Sequence, residues 1–165
     1  VSVVPNHQLN RKTPLHTRAN VAYFGTFGYE LDLNKLSYEE ISEVKQQIAF
    51  MKEYRELIQF GTFYRLKSPF EGNETAWMTV SEDKKTALVF WYRERNVVNA
   101  DFTRVRLQGL DPDFIYRNEY NGTENYGDEL MNLGMLTTDC TAGEPTSEDE
   151  PCTDYESRIY ILTAK

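Results

Sequence analysis

The sequence predicts an α+β chain in which a helical segment is followed by an antiparallel β-sandwich. Two observations support this prediction. Up to about residue 61 the apolar residues recur at helical spacing, and beyond it they fall in short runs of strand-forming residues separated by turn residues. The 165 residues, of which 40% are hydrophobic and 27% charged, have the composition of an ordinary globular protein with a packed core.

The chain begins with a short strand, a loop and a short helix. Valines within 1–4, followed by Pro5, indicate the end of a short buried strand, and a polar loop follows over 6–13. Pro14 suits the first helical turn because its missing N–H would be unpaired there in any case. Glycines from Gly25 onward end this helix and lead into a connector.

A long helix is predicted to follow. Ser37 and Glu40 have the spacing of a capping box, in which each side chain accepts a hydrogen bond from the other residue's backbone N–H. Gly61 ends the helix. Its apolar residues form one stripe and its charged residues lie off that stripe. The stripe comprises Ile41, Val44, Ile48, Met51, Tyr54, Leu57 and Ile58.

Short runs of strand composition occupy the remainder of the chain. Polar and apolar residues alternate over 104–108, which predicts a strand with one solvent-exposed face and one buried face. The stretch 87–92 is apolar at every position, which indicates a central strand that is covered on both faces. This spacing favours an antiparallel sandwich or barrel. The predicted strands are 63–66, 76–80, 87–93, 104–108, 114–117 and 158–162.

An acidic segment interrupts the strand pattern. Residues 118–157 contain eleven acidic residues and no Lys or Arg, and we interpret 137–157 as an acidic, solvated loop. Cys140 and Cys152 lie in this loop, and their spacing matches no zinc pattern. We expect two unrelated thiols in a reduced cytosol, with a disulfide that closes the loop as the alternative.

The charge and the apolar runs exclude several classes of protein. A formal net charge of −8 repels phosphate backbones, so we expect no nucleic-acid partner. The longest apolar run, 87–92, has six residues, whereas a membrane helix needs about 20, so we expect no membrane partner. The start of the chain shows no signal-peptide pattern, and we expect a cytoplasmic protein.

Motifs for metal or nucleophile chemistry are absent from the sequence. The only histidines, His7 and His16, lie nine positions apart in different predicted elements. Nucleophile-elbow, Walker and Rossmann patterns do not occur. The acidic pairs on the long helix lie off its apolar stripe and are interpreted as surface charge. We therefore predict no metal and no cofactor in this chain.

Aromatic residues offer one alternative function. Trp77, Trp91 and Tyr92 fall on neighbouring predicted strands, and an exposed ring can stack on the apolar face of a sugar. We favour core packing for these rings. The alternative is a β-sandwich carbohydrate-binding module without catalytic activity, which requires at least two exposed, coplanar rings.

Ordered strings over most of residues 1–136 resemble the C-terminal portion of bacterial α-galactosidases of glycoside hydrolase family 36. The resemblance weakens in the acidic loop, where the stretch from Cys140 to Cys152 looks like an addition. The matching residues are VVPNHQ at 3–8, Arg11, TPL at 13–15, TR at 17–18, FGTFGYELDL at 24–33, YRELIQFG at 54–61, FYRL at 63–66, SPF at 68–70 and GDELM at 127–131.

The resemblance implies a division into two regions. Residues 1–61 would be the last strand and helices of a (β/α)₈ catalytic barrel, and 62–165 would be the C-terminal antiparallel sandwich. The family hydrolyses terminal α-D-galactosyl residues by a retaining double displacement, and both catalytic aspartates lie in motifs upstream of Val1. This fragment alone is therefore expected to be inactive and to support a parent barrel that binds α-galactoside oligosaccharides in a homo-oligomer.

The resemblance also places candidate substrate-binding residues. Barrel active sites open at the C-terminal ends of the strands, so Asn6 and His7 would lie on the active-site face. We expect them to order the loop rather than to contact sugar. Together with Trp77 and Trp91, they are the candidate site residues of this chain.

Overall fold

The computed structural model describes residues 1–6, 10–97, 102–137 and 154–165. These residues form two compact units, Val1–Phe60 and Gly61–Lys165. The first unit is helical and the second contains an antiparallel sheet, so the predicted fold class of mixed helix and antiparallel sheet is confirmed. The predicted site residue His7 and both cysteines, Cys140 and Cys152, lie outside the described residues.

The first unit contains two α-helices joined by a 3₁₀ turn. Helix α1 spans Leu15–Ala22, the turn spans Leu33–Lys35, and helix α2 spans Tyr38–Phe60. Pro14 is the N-cap of α1, with an extended backbone that turns the chain into the helix. The N–H of Gly25 donates to the carbonyl of Ala22 at 3.1 Å, and α1 ends there.

The predicted capping box begins α2. The Glu40 N–H donates to Ser37 Oγ at 3.2 Å, and the Ser37 N–H donates to Glu40 Oε2 at 2.8 Å. The predicted apolar stripe faces inward: Val44 and Ile58 are buried, and the other members of the stripe are half-buried.

The short buried strand predicted within 1–4 is wrong for the described residues. A single parallel bridge joins Ser2 to Glu30, and Val3 is 48% exposed. A strand requires a ladder of consecutive backbone hydrogen bonds with a neighbouring strand. Glu30 supplies one such pairing among the described residues, so this segment is a bridge and not a strand.

The second unit is built on a six-stranded sheet in which every pair is antiparallel. Its strands are β1 (Thr62–Lys67), β2 (Glu74–Val80), β3 (Thr86–Arg93), β5 (Ile115–Asn118), β6 (Glu124–Tyr126) and β8 (Glu156–Ala164). The strand order is β1-β2-β3-β8-β5-β6, so β3 lies at the centre between β2 and β8.

Strand β3 is buried on both faces, which confirms the interpretation of 87–92 as a central strand. Because successive side chains alternate between faces, Val89 and Trp91 lie on one face while Leu88 and Phe90 lie on the other. All four are fully buried. The face that carries Trp91 contributes to a single apolar cluster, which forms the core of the second unit.

A smaller second layer covers this face. Strands β4 (Arg104–Val105) and β7 (Met135–Leu136) pair as a separate two-stranded sheet, and helix α3 spans Gly127–Asn132. Val105, Met135 and Leu130 from these elements belong to the same apolar cluster as the main sheet. The predicted antiparallel arrangement is therefore present, but the described residues form one large sheet and one small one.

The ends of the predicted acidic loop are ordered parts of the second unit. Thr137 is fully buried, and its carbonyl accepts a hydrogen bond from the Tyr160 hydroxyl at 3.0 Å. Strand β8 begins at Glu156, and Ser157 is buried. The predicted loop at 137–157 is thus too long at both ends, and its centre, 138–153, lies outside the described residues.

Candidate functional site

Asn6 closes a short loop with its backbone. Its N–H donates to the carbonyl of Arg11 at 2.9 Å, and its own carbonyl accepts from the N–H of Asn10 at 2.7 Å. Asn10 has φ of +50°, the left-handed conformation that Asn tolerates better than most residues. Asn6 therefore takes part in both backbone hydrogen bonds that close this loop.

Asn6 also lines a small polar cavity of about 170 Å³ in the first unit. Arg18 anchors one wall, where its Nε donates to the carbonyl of Thr13 at 3.0 Å and its Nη1 donates to the carbonyl of Ser2. Burial lowers the pKa of Arg18 from its ordinary value. The cavity is also lined by Arg11, so its walls present guanidinium groups, which donate to oxygen atoms.

A chain of hydrogen bonds ties the segment after α1 to α2. The Tyr29 hydroxyl donates to Gln47 Oε1 at 2.7 Å, and Gln47 Nε2 donates to Glu43 Oε1 at 2.7 Å. Burial, with Glu43 nearby, raises the pKa of Tyr29 to about 12. Burial also raises the pKa of Tyr23 well above its ordinary value. Both phenols therefore stay protonated at neutral pH, and Tyr29 acts as a hydrogen-bond donor.

The three candidate aromatic residues do not form one exposed platform. Trp91 is fully buried in the core, so its ring is closed to a sugar. Trp77 and Tyr92 lie on the opposite face and are half-buried. Their ring centroids are 4.6 Å apart and their planes are tilted by 32°. The platform that a carbohydrate-binding module needs is thus reduced to one tilted, half-buried pair.

A polar groove at the β1–β2 end of the main sheet was not predicted from the sequence. It has a volume of about 460 Å³, and its polar lining includes Lys67, Glu74, Arg93 and Thr103. Lys67 forms an ion pair with Glu74, and the Thr103 hydroxyl donates to Glu74 Oε1 at 2.7 Å. The charged residues within the predicted strands were the only sequence feature that pointed to this groove. The sequence alone does not show which ends of these strands lie next to each other in the sheet.

The described residues show no metal-binding cluster and no membrane helix. In the ranges described, no three His, Cys, Asp or Glu side chains come together in a way that could hold a metal ion. The helices of the same ranges lack the combined length and apolar character that crossing a bilayer requires.

Comparisons with known proteins match both units. Residues 1–61 match the melibiase family, and residues 74–162 match the glycosyl hydrolase family 36 C-terminal domain. The chain is 53% identical to α-galactosidase AgaA of Geobacillus stearothermophilus over 135 aligned residues, and this alignment covers 82% of the chain. It is 44% identical over 164 residues to α-galactosidase 1 of Pediococcus pentosaceus, which covers 99% of this chain.

Solved structures of such enzymes match the whole chain. The crystal structure of family 36 α-galactosidase AgaA from G. stearothermophilus superposes with a TM-score of 0.88 at 46% identity, and it covers 100% of this chain. The α-galactosidase from Lactobacillus brevis superposes with a TM-score of 0.90 at 41% identity, again over 100% of the chain.

This chain corresponds to only part of each relative. It spans 18% of the length of AgaA and 21% of the length of the P. pentosaceus enzyme. In the solved structures it spans 21% of the AgaA chain and 22% of the L. brevis chain. The family match nevertheless extends over more than half of the present residues, and the sequence strings, the fold and the comparisons agree: the chain belongs to glycoside hydrolase family 36.

Proposed function

We propose that this chain is the C-terminal portion of an α-galactosidase that hydrolyses terminal α-D-galactosyl residues. The observation that carries the proposal is the likeness of the whole chain to solved α-galactosidases at 41 and 46% identity. AgaA variants have been crystallised in complex with stachyose and with raffinose, so a close relative binds α-galactoside oligosaccharides. We extend that substrate class to the parent of this chain.

We assign a supporting role to this portion. The retaining double displacement of the family requires two carboxylates that flank the scissile bond, and we place both upstream of Val1. In this assignment residues 1–61 complete the catalytic barrel and 62–165 form the C-terminal domain. The loop closed by Asn6 would then shape the edge of the active site through its backbone.

A chimera tests the proposal. AgaA would be prepared with its matching C-terminal portion replaced by these 165 residues, beside AgaA that lacks that portion. We expect the chimera to hydrolyse a chromogenic α-galactoside and the truncated enzyme to be inactive. The 165-residue chain alone should show no turnover. We further propose that the parent is a homo-oligomer, which light scattering on the full-length parent would test.

Two outcomes would contradict the proposal. A chimera that folds, by circular dichroism and by size-exclusion elution, but turns over no faster than the truncated enzyme would show that this chain cannot serve as the C-terminal portion. Turnover by the isolated chain would show that the catalytic carboxylates do not lie upstream.

A further inference from the structure

Two of the charged side chains that line the polar groove of the second unit are largely buried. The side chain of Glu74 is 10% exposed and that of Arg93 is 5% exposed. Burying charges carries a large desolvation cost, and apolar residues often stabilise such a position equally well. Stability alone therefore does not explain why charged side chains line this groove.

Among the described residues that line the groove, the formal charges cancel. Lys67 and Arg93 are cations, and Glu71 and Glu74 are carboxylates. The two carboxylates disfavour an anionic ligand, and the two cations disfavour a cationic one. A neutral ligand with many polar atoms meets neither repulsion.

Hydrogen-bonding capacity remains at the centre of the groove. An ammonium group has three N–H donors, and a carboxylate offers about four acceptor positions. Within the described part of the chain, Lys67 uses one donor on Glu74, while Glu74 accepts one bond from Lys67 and one from Thr103. Lys67 and Glu74 therefore place donor and acceptor positions side by side with capacity to spare.

The rim of the groove is held in place before any ligand arrives. Asn73 bonds twice to the backbone of Arg95: its Oδ1 accepts from the N–H at 2.9 Å, and its Nδ2 donates to the carbonyl at 2.6 Å. Arg93 forms an ion pair with Glu156 on β8, which Arg158 also contacts at 2.7 Å. A rigid rim lowers the entropy lost on binding.

We propose that this groove binds a sugar unit of a neutral oligosaccharide. Sugar hydroxyls both donate and accept, so they match the alternating groups of Lys67, Glu74 and Thr103. Leu66 and Val97 supply apolar wall for the C–H face of the ring. The volume of about 460 Å³ lies within the range of about 300–1,000 Å³ that small-molecule sites occupy. The inference goes beyond the proposed function, because it requires no α-galactosidase activity.

The test is a titration of the isotope-labelled 165-residue chain with galactose and with raffinose, followed by NMR. We expect saturable shifts of the backbone amides of Lys67, Glu74 and Thr103. Glu74→Gln keeps the shape of the side chain but removes its charge. Because hydrogen bonds to charged groups are the stronger ones, this variant should weaken binding by about tenfold.

A matched ion pair on the same sheet provides the control. Lys165 Nζ lies 2.6 Å from Glu124 Oε1, and neither residue lines the groove. Glu124→Gln should leave the affinity unchanged. If Glu74→Gln fails to fold, as judged by the dispersion of the sheet amides, Thr103→Val removes one hydroxyl at nearly constant volume and should also weaken binding.

Three results would overturn the inference. The first is the absence of saturable shifts in the unsubstituted chain. The second is equal binding by the Glu74→Gln and Glu124→Gln variants. The third is a set of shifts centred on Trp77 and Tyr92, which would place the sugar on the aromatic pair. None of these results depends on the chimera assay, so the failure of one proposal is distinguishable from the failure of the other.

Discussion

The two units differ in the amount of apolar core that they bury. Among the described residues, sixteen buried apolar side chains lie in Gly61–Lys165 and five lie in Val1–Phe60. The largest fully buried side chains, which include Trp91, Tyr116 and Tyr160, all belong to the second unit. A strand inside a sheet can be covered on two faces, whereas an amphipathic helix such as α2 buries one stripe.

The units also differ in how polar groups are used. The first unit relies on the Tyr29–Gln47–Glu43 chain and on ring contacts, such as that between Tyr23 and Phe50 at 4.9 Å. The second unit confines its ion pairs to the strand ends around an apolar centre. We therefore expect the second unit to resist unfolding more strongly than the first.

The largest expected effect is on the core of the second unit. Trp91→Ala removes a fully buried indole and should lower the free energy of unfolding of that unit by about 3–5 kcal/mol. Val44→Ala in α2, at a position that is 7% exposed, removes two carbon atoms and should cost the first unit about 1.6 kcal/mol. Urea unfolding followed by amide hydrogen exchange reports each unit separately. If Trp91→Ala and Val44→Ala reduced the hydrogen-exchange protection of the β3 amides equally, the proposed difference in stability between the two units would be contradicted.

The next largest effect on stability is expected from replacing a glycine in each unit by alanine. A Cβ at Gly127 would lie 1.9 Å from the backbone oxygen of Asp111, which cannot move aside as a flexible side chain can. Gly127→Ala should therefore destabilise the second unit by about 2–3 kcal/mol. In the first unit, a Cβ at Gly28 meets no atom within 4 Å, and Gly28→Ala should change stability by less than about 0.5 kcal/mol. Thermal unfolding of both variants tests this contrast, which a tolerated Gly127→Ala would contradict.

Periodicity predicted the elements whose pattern comes from burial on a regular face. The predicted strand 87–93 is observed as Thr86–Arg93, and the predicted strand 63–66 as Thr62–Lys67. The predicted strand 104–108 ends early because its backbone leaves the ladder: the Leu107 N–H donates to the carbonyl of Leu130 at 3.1 Å. That bond depends on where α3 lies, which a local pattern does not show.

Short polar elements carried too little signal for prediction. Strand β6 has three residues and none is buried, and α3 begins without a side-chain capping bond.

The polar groove could not be predicted because its charged residues come from distant parts of the chain. Arg93 and Glu156 lie 63 positions apart and meet because β3 pairs with β8 in a register that sets them opposite each other. Charge in the sequence was visible, but its pairing depends on the topology of the sheet.

The smallest expected effect is the alkaline pH dependence that Tyr29 gives to the stability of the first unit. The pKa of Tyr29 is raised to about 12 from an ordinary value of 10.0, because burial disfavours the charged phenolate. The folded state therefore holds this proton more tightly than the unfolded state. Its contribution to stability is complete below pH 10 and is lost as the pH rises from 10 towards 12.

Tyr29→Phe removes this titration together with the hydrogen bond to Gln47. The variant should be less stable at neutral pH, and its stability should fall less steeply above pH 10. Tyr38→Phe, at a position that is 84% exposed in the same unit, is the matched control and should keep the original slope. Urea unfolding followed by helical circular dichroism at several alkaline pH values measures the slopes. Burial also raises the pKa of Tyr116 in the second unit, so the stability of that unit should depend on alkaline pH as well. If Tyr29→Phe changes the slope of stability against pH that the sheet signal reports, the two units do not unfold independently.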